Sequence, residues 1–228
     1  MAEPTRSDPL LALQERLAAD LRPVEPFRPL RSALGIAAVG VVLGVGVLFY
    51  LLGLRQDAGA LGPLWLWGPA LVSIALGSRL VFLSLRCLVP GNLVAPPTLL
   101  GATVAALVAT GLLYVGVHRL SPIETPRDHA LEIGLSCFGM EILLSLPIFA
   151  CLLLAARRGL SARPFRPALV GTLGVALIAD AVWRLFCMYS DPGHVVTAHG
   201  LSMITIVLVG CAGVLIWDRW RLGRVAVS

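Results

Sequence analysis

Lysine is absent from this chain of 228 residues, and charged residues of either sign are scarce. Only 14% of the residues are charged and 57% are hydrophobic, whereas a soluble domain averages about 25% charged and about 45–50% apolar residues. This composition excludes an ordinary soluble domain and indicates a chain solvated by lipid, and the mean hydropathy of +0.87 agrees. Hydrophobic segments fill nearly the whole length, so no room remains for a separate soluble domain.

Enzyme motifs are absent as well. The sequence contains no P-loop, no nucleophile elbow, no H-E-x-x-H motif and no dinucleotide fingerprint. We therefore expect no enzymatic activity, no catalytic residue and no cofactor. The net charge of +5 is what a membrane protein with basic cytoplasmic loops carries, so it does not indicate direct binding of nucleic acid.

Six segments are long and apolar enough to cross a bilayer, which takes roughly 20 apolar residues per helix. The runs are too long and too continuously apolar for barrel strands, and open backbone is not tolerated in lipid. We therefore predict an all-α integral membrane bundle of six transmembrane helices over residues 33–228. The predicted spans are about 33–54, 64–86, 98–118, 136–156, 168–188 and 195–217.

The arginines of the connections predict the orientation, because short cytoplasmic loops carry an excess of basic residues. The N-terminal tail, the second and fourth connections and the C-terminal tail together hold 13 arginines. The opposite side holds three, namely Arg55, Arg119 and Arg127. We therefore predict that both ends of the chain lie in the cytoplasm.

A cytoplasmic tail, residues 1–32, precedes the first span and carries a helix signature at about 9–22. Ser7-Asp8-Pro9 offers an N-cap followed by proline at the first helical position. An amphipathic helix of this kind either docks a cytoplasmic partner or lies on the lipid surface, and the periodicity favours neither. Four leucines recur three and four residues apart on one face of this helix: Leu10, Leu13, Leu17 and Leu21.

Two of the five cysteines, Cys137 and Cys187, lie at the predicted outer ends of the fourth and fifth spans. Each is 25 residues from Ala162, the centre of the connection between these spans, so their depths in an antiparallel hairpin should match. Such a pair forms a disulfide when the Cβ atoms approach within about 4.5 Å, and the outer side of a bacterial inner membrane is oxidising. Alternatively, both are small core residues.

The same hairpin carries three charged residues within the membrane: Glu141, Asp180 and Arg184. Each costs about 2.5–3.5 kcal/mol at a helix centre on insertion scales. We therefore predict that they pair in a network just beneath the two cysteines. The network either only holds the hairpin together or supports a sensing site.

All four histidines are predicted at or near the outer side, namely His118, His129, His194 and His199. The spacing of His194 and His199 is one that zinc sites use, but no C-x-x-C accompanies these histidines. We therefore predict no metal site.

Short motifs in three parts of the chain carry a family resemblance. The tail reads Leu17-Ala-Ala-Asp-Leu-Arg-Pro-Val24. The fourth span runs from Ser136-Cys137 to Leu146-Pro147 and is followed by Arg157-Arg158-Gly159, and the fifth ends with Cys187 before Asp191-Pro192. With six spans, the chain resembles the NrsF-like family of bacterial membrane anti-sigma factors, named for the negative regulator of sigma F, over nearly its whole length. A related regulator of light-induced carotenoid genes has the same general design.

The resemblance implies a multi-pass protein of the bacterial inner membrane that sequesters an extracytoplasmic-function sigma factor. Oxidative, metal or light-related stress would release this partner. The family's paired cysteines map to Cys137 and Cys187, which then act as redox or signal-sensing residues. The tail has no family motif for sigma contact, so the leucine face as a partner site is our own prediction.

Two rival classes remain open at this point. A membrane thiol-redox protein would show a close reactive cysteine pair and a quinone site. A small transporter would show interrupted helices that face a polar cavity near the middle of the membrane.

Overall fold

The described part of the chain is helical in a computed structural model and contains no strand. The structure describes residues 42, 45–46, 49–88, 94–156 and 165–225. Five long helices are α1 (Ala58–Arg86), α2 (Pro96–Leu120), α3 (Ala130–Ala156), α4 (Phe165–Trp183) and α5 (Leu201–Val225). A 3₁₀ turn, Arg127–His129, leads into α3. A helical turn, Pro192–His194, and a π-helical segment, Val195–Gly200, lead into α5.

Five helical segments are long and apolar enough to cross a membrane, and they correspond to the second to sixth predicted spans. The all-helical prediction is therefore confirmed for the described residues. Of the first predicted span, residues 42, 45–46 and 49–54 are described; residues 42, 45–46 and 49–52 are helical, and the helix has ended by Gly53. The tail 1–32, with its four leucines, and the connection 157–164 lie outside the described residues.

Several helix ends differ from the predicted boundaries, and two of these differences leave an irregular segment at the same end of the bundle. α1 begins at Ala58 instead of 64, and it kinks at Gly62, whose φ of 67° suits glycine because other residues meet a Cβ clash there. α4 ends at Trp183 instead of 188. Beyond it the backbone N–H of Arg55 donates to the carbonyl of Leu185 over 3.1 Å. An irregular segment therefore follows α4 at a place where the apolar pattern predicts continued helix.

The central helix is α4, which packs against α1, α3 and α5. Val175, Ala176 and Leu177 at its middle are completely buried. A Cβ atom on Gly77 of α1 would lie only 2.7 Å from the backbone carbonyl of Gly174 in α4. The two backbones therefore touch, which is how small residues allow helices to associate in lipid.

The outer surface of the bundle is apolar, in contrast to the surface of a soluble protein. Leu112 of α2 is 68% exposed, and Leu208 and Ile216 of α5 are 64% and 68% exposed. Apolar surface of this extent on several helices requires an apolar surrounding. The exposed leucines and isoleucines therefore agree with helices that face lipid.

Buried polar side chains tie the turns together at the end of the bundle where α1 begins and α4 ends, which we call the polar end. The Nη2 atom of Arg55 donates to Asp57 Oδ2 over 2.7 Å, and to Ser190 Oγ and the Met188 carbonyl over 2.9 Å each. Ser121, directly after α2, donates its hydroxyl to Asp57. One buried ion pair therefore holds three turns in register.

The surroundings of the Asp57 carboxyl favour its ionised form. Burial raises its pKa, but hydrogen bonds from Arg55 and Ser121 and the charge of Arg55 outweigh this effect. The net result is a pKa below the ordinary value of 3.8. The ion pair is therefore intact at neutral pH.

Candidate functional site

Two cysteines and two histidines converge next to the polar end: Cys137, Cys187, His194 and His199. One ligand atom of each lies within 4.8 Å of those of the others, and all four residues are buried. We call this group the Cys–His cluster. The two sulfur atoms are 3.5 Å apart, and both thiols are free. Cys187 Sγ also lies 3.5 Å from His194 Nε2.

The π-helical segment brings the two histidines together. His194 and His199 are five residues apart, and in a regular α-helix of 3.6 residues per turn they would point about 140° away from each other. A π-helix closes its turns between residues five apart, so both rings lie on one side, with centroids 5.2 Å apart. Asp191 fixes the start of this segment by accepting a hydrogen bond from the His194 backbone N–H over 2.8 Å.

A second buried group, which we call the charged layer, contains Glu141, Asp180, Arg184 and Ser202 and adjoins the Cys–His cluster. Asp180 Oδ1 accepts a hydrogen bond from Arg184 Nε over 3.2 Å, and Ser202 donates its hydroxyl to Glu141. Glu141 and Asp180 are completely buried. The charged layer is therefore held by hydrogen bonds inside the bundle and away from solvent.

His199 joins the two groups. Its Nδ1 atom contacts Asp180 Oδ1 at 2.9 Å and also contacts Glu141. Its other ring nitrogen, Nε2, is buried and has no hydrogen-bond partner. The imidazole of His199 therefore lies between the two sulfur atoms and the two carboxylates and belongs to both groups.

The charged residues lie close together, although their link differs from the predicted one. Among the ion pairs of the described residues none joins Glu141 to Arg184: Arg184 pairs with Asp180, and His199 contacts both carboxylates. The Arg184 guanidinium instead lies over the ring of Tyr114 in α2, 3.5 Å from its centroid, which is a cation–π contact. Neither His199 nor Tyr114 is predicted in this group from the sequence.

The remaining candidates lie elsewhere. His129 is exposed at the start of α3, where it is 3.6 Å from Glu132, and His118 lies in the last turn of α2. The four leucines proposed as the partner-binding face fall outside the described residues, so the partner-binding role stays a prediction. The sensing role of Cys137 and Cys187 likewise stays a prediction, although the structure brings their sulfur atoms together.

The Cys–His cluster allows two kinds of chemistry. Two thiols in contact can be oxidised to a disulfide, in which the two sulfur atoms lose two electrons and two protons. Two sulfur and two imidazole ligands are also a donor set that soft divalent metal ions accept. The charged layer holds no sulfur, and each of its carboxylates already accepts a hydrogen bond there, Asp180 from Arg184 and Glu141 from Ser202.

Comparison with known proteins places the chain in a family. A family model described as NrsF, negative regulator of sigma F, matches residues 17–220, which confirms the resemblance seen in the sequence. No curated protein and no solved structure matches the chain. The matched range contains the Cys–His cluster, the charged layer and all five long helices over most of their length. The chain therefore belongs to the NrsF family of negative regulators of sigma F.

Proposed function

We propose that this chain is an anti-sigma factor that holds an extracytoplasmic-function sigma factor at the bacterial inner membrane and releases it under oxidative, metal or light-related stress. The observation that carries the proposal is the family match over residues 17–220 in a chain whose described part has five helices long and apolar enough to cross a membrane. Such helices cannot leave the bilayer. The chain must therefore exert negative regulation by keeping a soluble partner at the membrane surface.

The proposed topology has both ends of the chain in the cytoplasm. Its support is the arginine count, with 13 on one side and three on the other. In this orientation the polar end and the Cys–His cluster lie on the outer side. The leucine face of the tail lies on the inner side, where the sigma factor is.

The tail helix at about 9–22 is the proposed grip on the sigma factor. An amphipathic helix binds a partner by laying its apolar face into a hydrophobic groove, and the four leucines supply such a face. The basic connection 157–167 lies on the same proposed side and would add electrostatic attraction. In the off state, both elements hold the sigma factor away from RNA polymerase.

The proposed signal is a change at Cys137 and Cys187. An oxidant such as a peroxide takes two electrons and two protons from the thiols, is itself reduced to water, and leaves a disulfide between α3 and the segment after α4. A disulfide is worth roughly 2–4 kcal/mol, and a tenfold loss of affinity needs about 1.4 kcal/mol. The free energy of one disulfide is therefore large enough to release the sigma factor if α4 transmits the change.

Packing supports α4 as the element that transmits the change. Asp180 near one end of α4 contacts the imidazole that adjoins the two cysteines. At the other end, the carbonyl of Pro167 accepts a hydrogen bond from Ser84 of α1 over 2.6 Å. A displacement of α4 at the polar end therefore reaches the residues beside the connection 157–164.

Co-purification from detergent-solubilised membranes tests the proposal. The full-length chain should retain a sigma factor, identified by mass spectrometry, and Leu13→Asp with Leu17→Asp should reduce the retained amount about tenfold or more. Ala12→Asp with Ala19→Asp is the matched control, because it adds the same charge to the opposite face of the tail helix. Absence of any sigma factor from the wild-type preparation would contradict the proposal, and full retention by the leucine variant would remove the tail from it.

A further inference from the structure

We propose that the Cys–His cluster is a zinc site in which Cys137, Cys187, His194 and His199 supply the four ligands to one Zn²⁺ ion. The absence of a C-x-x-C motif predicts no metal site from the sequence. The ligands come instead from three different elements: α3, the segment after α4 and the π-helical region before α5. This inference goes beyond the regulatory role, because metal binding belongs to the isolated chain and needs no sigma factor.

The distances fit a tetrahedral site. Zinc binds sulfur at about 2.3 Å and imidazole nitrogen at about 2.0–2.1 Å, so tetrahedral ligands stand about 3.8 Å apart for two sulfurs and about 3.6 Å apart for sulfur and nitrogen. The two sulfur atoms are 3.5 Å apart, and Cys187 Sγ is 3.5 Å from His194 Nε2. These three ligand atoms therefore need to move only by tenths of an ångström to bind one ion, and all four ligand atoms lie within 4.8 Å of one another.

The second ring nitrogen of His199 points to the same conclusion. His199 is 1% exposed, and its Nε2 atom has no hydrogen-bond partner, which is costly for a buried polar atom. Because Nδ1 faces Asp180 and Glu141, Nε2 is the atom available to the Cys–His cluster. In many zinc sites the ligating histidine donates its other ring N–H to a carboxylate. This hydrogen bond orients the ring and raises its affinity for the metal.

The thiol side of His199 is a better place for the ion than the carboxylate side. Glu141, Asp180 and His199 also lie close enough to hold a cation, but Arg184 and Ser202 already bind these carboxylates. Two thiolates neutralise the charge of one Zn²⁺ ion, and thiolate with imidazole is a ligand set that zinc prefers. Binding would release the two thiol protons, so the buried site would stay neutral in its first ligand sphere.

The test measures metal content on the full-length chain, purified in detergent with a phosphine reductant and equilibrated with Zn²⁺. We expect one zinc per chain, and replacement by Co²⁺ should give the thiolate charge-transfer and tetrahedral cobalt absorption bands. Cys187→Ser and His199→Gln should lower the zinc content about tenfold. The matched controls Cys151→Ser and His129→Gln replace the same residue types outside the cluster and should keep one zinc per chain.

A second measurement does not depend on the folding of the cluster variants. In a chain with Cys87, Cys151 and Cys211 replaced by serine, only Cys137 and Cys187 can react with a maleimide. Both thiols are buried, so the measurement is the rate of labelling over hours as the bundle opens: zinc should slow it for both thiols, and a chelator should restore it. Equal labelling with and without zinc, or one zinc per chain in His199→Gln, would overturn the zinc site. A loss of sigma-factor retention with an unchanged zinc content would instead affect only the regulatory proposal.

Discussion

The Cys–His cluster and the charged layer are linked by single residues, and His199 contacts both. Its ring contacts Asp180 and Glu141 on one side and shares the Cys–His cluster on the other. A change at the sulfur atoms that shifts the ring therefore alters the hydrogen bonds of Asp180. Asp180 lies in α4, which has the largest buried share of the described spans, and we expect α4 itself to take up such a change.

At the residue scale, the cysteine pair should be needed for the response to oxidants. We expect that Cys137→Ser combined with Cys187→Ser abolishes the induction of a sigma-dependent reporter by peroxide, because no disulfide can then form. The Cys211→Ser control changes another buried cysteine, which contacts Thr172 at 3.6 Å, and should leave induction intact. Normal induction in the double variant would exclude the thiol sensor.

The Asp57 carboxylate should stabilise the fold only above the acidic range. Its folded-state pKa is lowered because hydrogen bonds from Arg55 and Ser121 and the charge of Arg55 outweigh burial. The stability it provides is therefore complete above its unfolded pKa of about 3.8–3.9 and is lost as the pH falls through the lower folded-state value. We expect Asp57→Asn to lower the melting temperature in detergent at pH 7, and the gap to wild type to shrink as the pH falls below 3.8.

The control for this measurement is Asp128→Asn, which changes an exposed carboxylate at the start of the third described span. This variant should follow the wild-type melting curve at every pH. A gap between wild type and Asp57→Asn that is constant from pH 7 to pH 3 would show that the ion pair is not the source of the effect.

Among the elements, α4 and the π-helical segment position residues of the Cys–His cluster and the charged layer. The π-helical segment aligns two histidines that an α-helix would separate, and α4 carries Asp180 into the middle of the bundle. Because α1, α3 and α5 all pack on α4, its position depends on small residues at the crossings. A substitution at the contact of Gly77 with Gly174 tests this dependence directly.

We expect Gly77→Ala to destabilise the bundle by about 1–3 kcal/mol, because the added methyl group would meet the Gly174 carbonyl at 2.7 Å and Ile178 at 2.8 Å. Thermal unfolding in detergent measures the effect. Gly111→Ala is the matched control, since a Cβ atom at Gly111 meets nothing within 4 Å. Alanine in a helix is normally more stabilising than glycine by roughly 0.5–1 kcal/mol. Gly111→Ala should therefore melt at or above the wild-type temperature. Equal melting temperatures of the two variants would contradict the close crossing.

For the whole molecule, the decisive property is the separation of two surfaces by lipid. In the proposed topology the Cys–His cluster faces the oxidising side and the leucine face of the tail meets soluble proteins. We expect a membrane-impermeant maleimide to label Glu124→Cys in intact spheroplasts and Ser7→Cys only after lysis, in a background without other cysteines. Labelling of Ser7→Cys in intact cells would invert the topology and remove the regulatory mechanism.

Much of the architecture follows from properties that are local in the sequence. The number and approximate position of the last five spans follow from the length of the apolar runs, since each helix in lipid must satisfy its own backbone. The equal depth of Cys137 and Cys187 follows from their equal distance from Ala162 along one hairpin. The charges of Glu141, Asp180 and Arg184 are recognisable as interacting because lipid penalises each of them separately.

The sequence by itself determined the helical class, the membrane-crossing segments and the candidate cysteine pair, because hydrophobic length and distance along a hairpin are written in the chain. Only the tertiary structure decided which side chains meet. The π-helical turn, the end of α4 at Trp183 and the burial of Arg55 against Asp57 each depart from regular α-helical spacing. His199 joins the site through the π-helical turn, and its partners Glu141 and Asp180 come from separate helices that periodicity along one helix cannot relate.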